Sequence, residues 1–157
     1  MSKENVEAVR ELFERFGETD FERLREALET SSSFAEAAPK MGDLGRWHLE
    51  RLDPEVEIDA SAMPGMPEGN RAHGHQGWFE FWRTWLIPWE SFEYTPKRWR
   101  DAGDRVVVGL VQRGRLASGL DYATQISNVW SFEGEAVVRL QMFLAWDDAL
   151  AATGLRE

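Results

Sequence analysis

At 157 residues the chain is long enough to bury a core within one domain, and without cysteine that core uses neither disulfides nor thiolate metal sites. A formal net charge of -10 repels phosphate backbones and anionic membrane surfaces, so nucleic acid and membrane are not expected partners. Apolar residues make up 43% of the sequence in runs too short to span a bilayer, and the charged start lacks a signal-peptide core, so a soluble cytoplasmic protein is expected. Eight tryptophans imply large flat surfaces that are buried or line a cavity.

Val6, Val9, Leu12, Phe13 and Phe16 recur at helical spacing, so the first 16 residues read as an amphipathic helix that Gly17 ends. Thr19 and Glu22 have the spacing of a capping box for a second helix, which carries Phe21, Leu24 and Leu28 to about Thr30. Residues 31–45 mix Ser, Ala, Pro and Gly with only Phe34, Met41 and Leu44 as large apolar groups, and read as a loop or partial lid. Asp43 then caps a short helix through Trp47, Leu49 and Leu52, with His48 expected at its surface and Pro54 as its stop. Val56 and Ile58 alternate with Glu55, Glu57 and Asp59, the pattern of a half-buried strand.

Prolines and glycines punctuate residues 63–74, which read as a surface loop near an opening. Trp78, Phe81, Trp82 and Trp85 follow at i, i+3, i+4 and i+7, one aromatic helix face that ends at Pro88. From Trp89 onward the period becomes two, first at Phe92 and Tyr94, then over residues 105–115, 121–132 and 135–146. Asp101-Ala102-Gly103-Asp104, Ser118-Gly119 and Glu133-Gly134 are the intervening turns, short enough to make the strands antiparallel neighbours. Helices first, a meander afterwards and one strand between them predict a single barrel-like α+β domain over residues 1–157.

The order of Leu52-Asp53-Pro54-Glu55-Val56-Glu57-Ile58, Gly74-His75-Gln76-Gly77-Trp78 and Gly103-Asp104-Arg105-Val106-Val107-Val108 is informative, together with the later Val129-Trp130 and the Ala149-Leu150 to Gly154-Leu155 tail. It resembles the SnoaL-like branch of the NTF2-like superfamily, whose members include ketosteroid isomerase, scytalone dehydratase and limonene epoxide hydrolase. The resemblance implies a cone-shaped roll whose N-terminal helices cover the concave face of a curved, mostly antiparallel sheet. It also implies a pocket there for a small hydrophobic molecule, and frequently a homodimer. It does not imply one reaction, and residues 31–45 are atypical of the pattern.

Three residues are catalytic candidates. Asp59 closes the first strand, where apolar neighbours would raise its pKa towards that of a general base, although strict alternation with Val56 and Ile58 would turn it outward. His73 and His75 flank Gly74 and can serve as base or hydrogen-bond a ligand carbonyl, while His75 can equally sit in a helix's first turn. No third ligand accompanies the pair, and no phosphate loop, dinucleotide fingerprint, nucleophile elbow or zinc helix occurs, so neither metal nor cofactor is expected.

The candidate ligand contacts are Phe16 on the first helix and Trp78, Phe81 and Trp82 on the aromatic helix. They include Asn128, which alternation puts on the apolar side of its strand with Ile126 and Trp130, and Arg139, which can meet a ligand carboxylate or an internal acid. Ketosteroid isomerase stabilises an oxyanion with a tyrosine and a neutral acid, and the first helix, where that family places its tyrosine, here offers Phe13 and Phe16, the only tyrosines being Tyr94 and Tyr122 in predicted strands. The functional expectation is a small cyclic or polycyclic guest, with cofactor-free isomerase-like or cyclase-like acid-base chemistry. The alternative is a noncatalytic ligand-binding or dimeric interaction domain.

Overall fold

The computed structural model describes residues 2–63 and 71–155. Helices α1 (Ser2–Glu18), α2 (Phe21–Thr30), α3 (Phe34–Ala37) and α4 (Gly42–Arg51) come first, with a 3-10 turn, Ala38–Met41, joining the last two. Strands β1 (Leu52–Asp59) and β2 (Arg71–His73), helix α5 (Gly74–Leu86), strands β3 (Trp89–Asp101), β4 (Arg105–Leu116), β5 (Asp121–Glu133) and β6 (Ala136–Phe143), and helix α6 (Trp146–Ala152) follow.

The strands form one sheet in the order β2-β1-β6-β5-β4-β3, antiparallel except where β1 runs parallel to β6. The expected α+β arrangement is therefore present, but the sheet stays open, with β2 and β3 as its edges, instead of closing as a barrel. Pro96 fits this layout because it lies on edge strand β3 beside a register shift, where a missing N–H costs little. Gly103, Gly119 and Gly134 make the three hairpin turns with φ of 78°, 93° and 61°, a region side chains disfavour.

Alternation along the strands sorts the two faces. Val106, Val108, Leu110, Ile126, Trp130, Leu140 and Met142 join the main core beneath the helices, whereas Val107 and Val129 point to the other face and pack against Ala149 and Leu150 of α6. Strand β6 stops at Phe143, short of the expected residue 146, because α6 takes Trp146 and covers that outer face. Trp47 anchors α4 from within the core, only 1% exposed, with its indole N–H donating to Ala8 O at 2.9 Å.

Several local expectations need correction. Helix α1 continues past Gly17 to Glu18, so the Thr19 hydroxyl donates back to Arg15 O at 2.7 Å and Asp20 caps α2, accepting from Glu22 N. Residues 31–45 are largely helical: the Ser33 hydroxyl accepts from Glu36 N, and the Glu36 carboxylate accepts from Ser32 N. Helix α4 ends at Arg51, so that Leu52 and Pro54 already belong to β1, with Pro54 inside its irregular stretch against β6. Of the expected loop at 63–74, residues 71–73 form β2, Gly74 starts α5, and 64–70 lie outside the described residues.

Candidate functional site

Between the helices and the inner face of the sheet lies a cavity of about 80 Å3. Helix α1 supplies Leu12, Phe13 and Phe16 to its wall, α2 supplies Leu24 and Leu28, and the short helical segment after them adds Phe34, Ala37 and Met41. Leu44 and His48 come from α4, Trp78, Phe79, Trp82 and Leu86 from α5, Tyr94 from β3, and Asn128 and Trp130 from β5. None of these lining residues is an Asp, Glu, Lys or Arg.

The few polar atoms in this wall are poorly partnered. The Tyr94 hydroxyl, Asn128 Oδ1 and the indole N–H groups of Trp78 and Trp130 are buried and have no hydrogen-bond partner among the described residues. Each such group costs on the order of 1–3 kcal/mol relative to its hydrated state. Tyr94 sits in a ring cluster with Phe13, Phe16 and Phe92, at centroid distances of 5.9, 5.3 and 4.8 Å. Burial pushes its phenol well above the ordinary value of 10; the neighbouring Trp85 N–H offsets part of this without reaching hydrogen-bonding geometry. Tyr94 is therefore a neutral O–H donor at physiological pH.

His48 was expected at the surface, but its ring is enclosed by aromatic neighbours: Trp47 at 5.2 Å, Trp78 at 6.0 Å and Phe34 at 6.4 Å between centroids. Its Nδ1 lies 2.8 Å from Leu44 O, which can only accept, so Nδ1 carries the proton and Nε2 is left as an acceptor. Burial lowers the imidazole pKa from 6.5 to about 4, with nearby His75 adding to the fall and the Leu44 bond opposing it. The wall thus contains a neutral histidine.

The candidates taken from sequence divide between two places. Phe16, Trp78, Trp82 and Asn128 line the cavity. Phe81 is buried but packs edge-on to Trp82 and stacks on Trp85, away from the lining. His75 donates from Nε2 to Leu52 O at 3.1 Å and stacks on Phe34 at 4.5 Å, behind the wall. Asp59, His73 and Arg139 lie together elsewhere, in a groove of about 300 Å3 along β1, β2 and β6 that Glu57 and Arg71 complete.

In that groove Asp59 accepts from the Ser61 amide at 3.0 Å and from the Ser61 hydroxyl, with Arg139 Nη2 at 3.3 Å and Arg71 Nε at 3.5 Å. Partial burial pulls its pKa up, but the Ser61 bonds and the two guanidinium groups outweigh that and leave it below the ordinary carboxylate value. The expected upward shift is therefore reversed: alternation carries Asp59 to the face opposite Val56 and Ile58, where it meets cations instead of apolar side chains. His73 is exposed and 3.8 Å from Glu55. Among the described residues no three His, Asp or Glu side chains are grouped to hold a metal ion, and no helix is long and apolar enough to cross a membrane.

This architecture, N-terminal helices packed on an open six-stranded sheet around an apolar cavity, defines a class of α+β roll. It matches known structures along most of the chain. An NTF2-like protein from Burkholderia pseudomallei is 19% identical with a TM-score of 0.62, over 94% of this chain and 95% of that one. A protein from Jannaschia sp. CCS1, classed with the SnoaL-like polyketide cyclases, is 13% identical with a TM-score of 0.65, over 99% and 94%. TerC, crystallised with polyporic acid, is 20% identical with a TM-score of 0.57, over 78% and 92%. The chain has the NTF2-like fold. No protein-family model matches it, and no curated protein does.

Sequence reasoning missed His48, Tyr94 and the helical wall around Phe34 and Met41. The signal for the wall was present: Phe34, Ala37, Met41, Leu44 and His48 are spaced three, four, three and four apart, one face of a helical run.

Proposed function

We propose that the protein binds a small, mainly apolar cyclic molecule in the cavity between helices and sheet. The observation that carries this reading is the cavity wall itself, apolar and aromatic throughout except for a few buried polar groups that find no partner among the described residues. Such a combination is characteristic of sites where a guest is oriented by a small number of hydrogen bonds. TerC, which shares the fold, was crystallised with the small molecule polyporic acid, which supports a small-molecule site in a fold of this kind. Size favours the smaller members of the expected range, since an apolar cavity of about 150 Å3 is known to hold benzene, and this one measures about 80 Å3.

Binding without turnover is the favoured form of the reading. The described wall has no carboxylate, and its titratable groups are His48, a weak base at a pKa of about 4, and Tyr94, whose proton burial retains. Isomerase-like or cyclase-like chemistry would require His48 Nε2 to take the proton.

Because Trp78, Trp82 and Trp130 line the cavity, their fluorescence reports occupancy directly. Saturable quenching by a single-ring ligand is expected. Ala37→Leu, which adds bulk to a wall position only 1% exposed, is expected to weaken that binding by at least about tenfold, at a stability cost of about 1–3 kcal/mol. Unchanged affinity in a folded Ala37→Leu variant would place the binding elsewhere.

A further inference from the structure

We infer that the guest is a neutral, single-ring molecule carrying both a carbonyl-type oxygen and a hydroxyl, an inference that rests on the cavity being the binding site. Three features of the wall lead there. Its volume of about 80 Å3 leaves no room for fused rings, and even one ring requires half-buried residues such as Phe16 or Trp82 to shift. Its lack of charged residues, with His48 held neutral, means that a carboxylate or ammonium would lose its hydration without gaining a counter-charge. Charged guests are thereby excluded.

The third feature is the hydrogen-bonding inventory. Among the described residues the Tyr94 O–H and the N–H groups of Trp78 and Trp130 are donors without a partner and Asn128 Oδ1 is an acceptor without one, while the Nδ1 bond to Leu44 O leaves His48 Nε2 as a further acceptor. A hydrocarbon would leave all of them unsatisfied. Donors on the wall call for a ligand oxygen that accepts, and the acceptors call for a ligand O–H. One ring bearing both groups meets the two demands within the available space. The four unpaired atoms are themselves buried from water, so the shift that admits the ring is also what gives them partners.

Calorimetric titration separates this inference from the broader reading. Toluene, para-hydroxyacetophenone and para-hydroxybenzoate are titrated into the wild-type protein, Tyr94→Phe and Asn128→Leu. Para-hydroxyacetophenone is expected to bind at least about tenfold more tightly than toluene, and para-hydroxybenzoate far more weakly than either. Each substitution is expected to cut the affinity for para-hydroxyacetophenone by about tenfold and to leave that for toluene within about twofold. Equal binding of toluene and para-hydroxyacetophenone, preference for the benzoate, or no loss in either variant overturns the polar assignment while the cavity stands. If neither neutral ring binds, the cavity reading itself fails. A thermal melt of the unliganded proteins adds a readout that an ordinary structural hydrogen bond would not produce: Tyr94→Phe should melt higher than wild type, since it deletes an unpaired buried hydroxyl.

Discussion

Gly45→Ala is expected to destabilise the protein by about 3 kcal/mol or more, although glycine to alanine inside a helix ordinarily stabilises by up to about 1 kcal/mol. The inversion of sign comes from a backbone contact. A Cβ on Gly45 would stand 1.8 Å from Ala38 O and 2.7 Å from Ala38 C, and a carbonyl in the 3-10 turn cannot rotate away as a side chain would. Helix α4 would have to lift off that turn, carrying Leu44 and His48 out of the cavity wall and loosening Trp47 in the core. For a chain of this size, a loss of about 3 kcal/mol lowers the melting temperature by roughly 6–12 °C. Gly42→Ala is the matched comparison: Gly42 has φ of 61° and ψ of -131°, a combination side chains strongly disfavour, but nothing within 4 Å of a built Cβ, so only backbone strain of about 1–3 kcal/mol is at stake. Denaturant midpoints followed by circular dichroism should place Gly45→Ala clearly below Gly42→Ala, and the reverse order would show that α4 is free to move.

The second large effect is acid sensitivity through His48. In the folded protein its imidazole stays neutral down to about pH 4, whereas in the unfolded chain it takes up a proton at its ordinary value of 6.5. Between those values the unfolded state binds more protons, so stability rises with pH across the window and is lost as pH falls from 6.5 towards 4. The slope approaches about 1.4 kcal/mol per pH unit, and the loss amounts to about 3 kcal/mol by pH 4. Carboxylates held below their ordinary values, Asp59 among them, destabilise in the same direction but at lower pH. The comparison is therefore between wild type and His48→Gln, whose amide can still donate to Leu44 O. Unfolding midpoints in urea from pH 4.5 to 7 should fall more steeply for wild type, and parallel lines for the two proteins would rule out a buried neutral imidazole.

Much of the frame was readable from local pattern. Alternation from Ile126 to Trp130 put Asn128 on the more apolar side of its strand, because a strand exposes successive side chains to opposite environments, and the structure shows that this side faces the main core. The same rule, applied strictly to Val56, Ile58 and Asp59, pointed Asp59 outward, where it pairs with Arg139 and Arg71. Residues 31–45 were misread for a different reason: Pro39, Gly42 and the serines suggested a loop, yet Pro39 sits at the start of a short 3-10 turn that Ala38 opens, and Gly45 allows a close helix crossing. Thr19 lost the capping role to Asp20 because α1 runs on and offers the hydroxyl the carbonyl of Arg15.

The sequence by itself determined the order of the longer helices and strands, the apolar stripes of α1, α2 and α5, the surplus of negative charge and the lack of thiol chemistry. Only the tertiary structure decided which polar groups share the cavity. His48, Tyr94 and Asn128 are far apart along the chain and ordinary in local pattern; packing α4, β3 and β5 around one space desolvates them and leaves the Tyr94 hydroxyl and Asn128 Oδ1 without partners among the described residues. Desolvation depends on everything that surrounds a group in three dimensions, and periodicity along one element reports only which way that group faces.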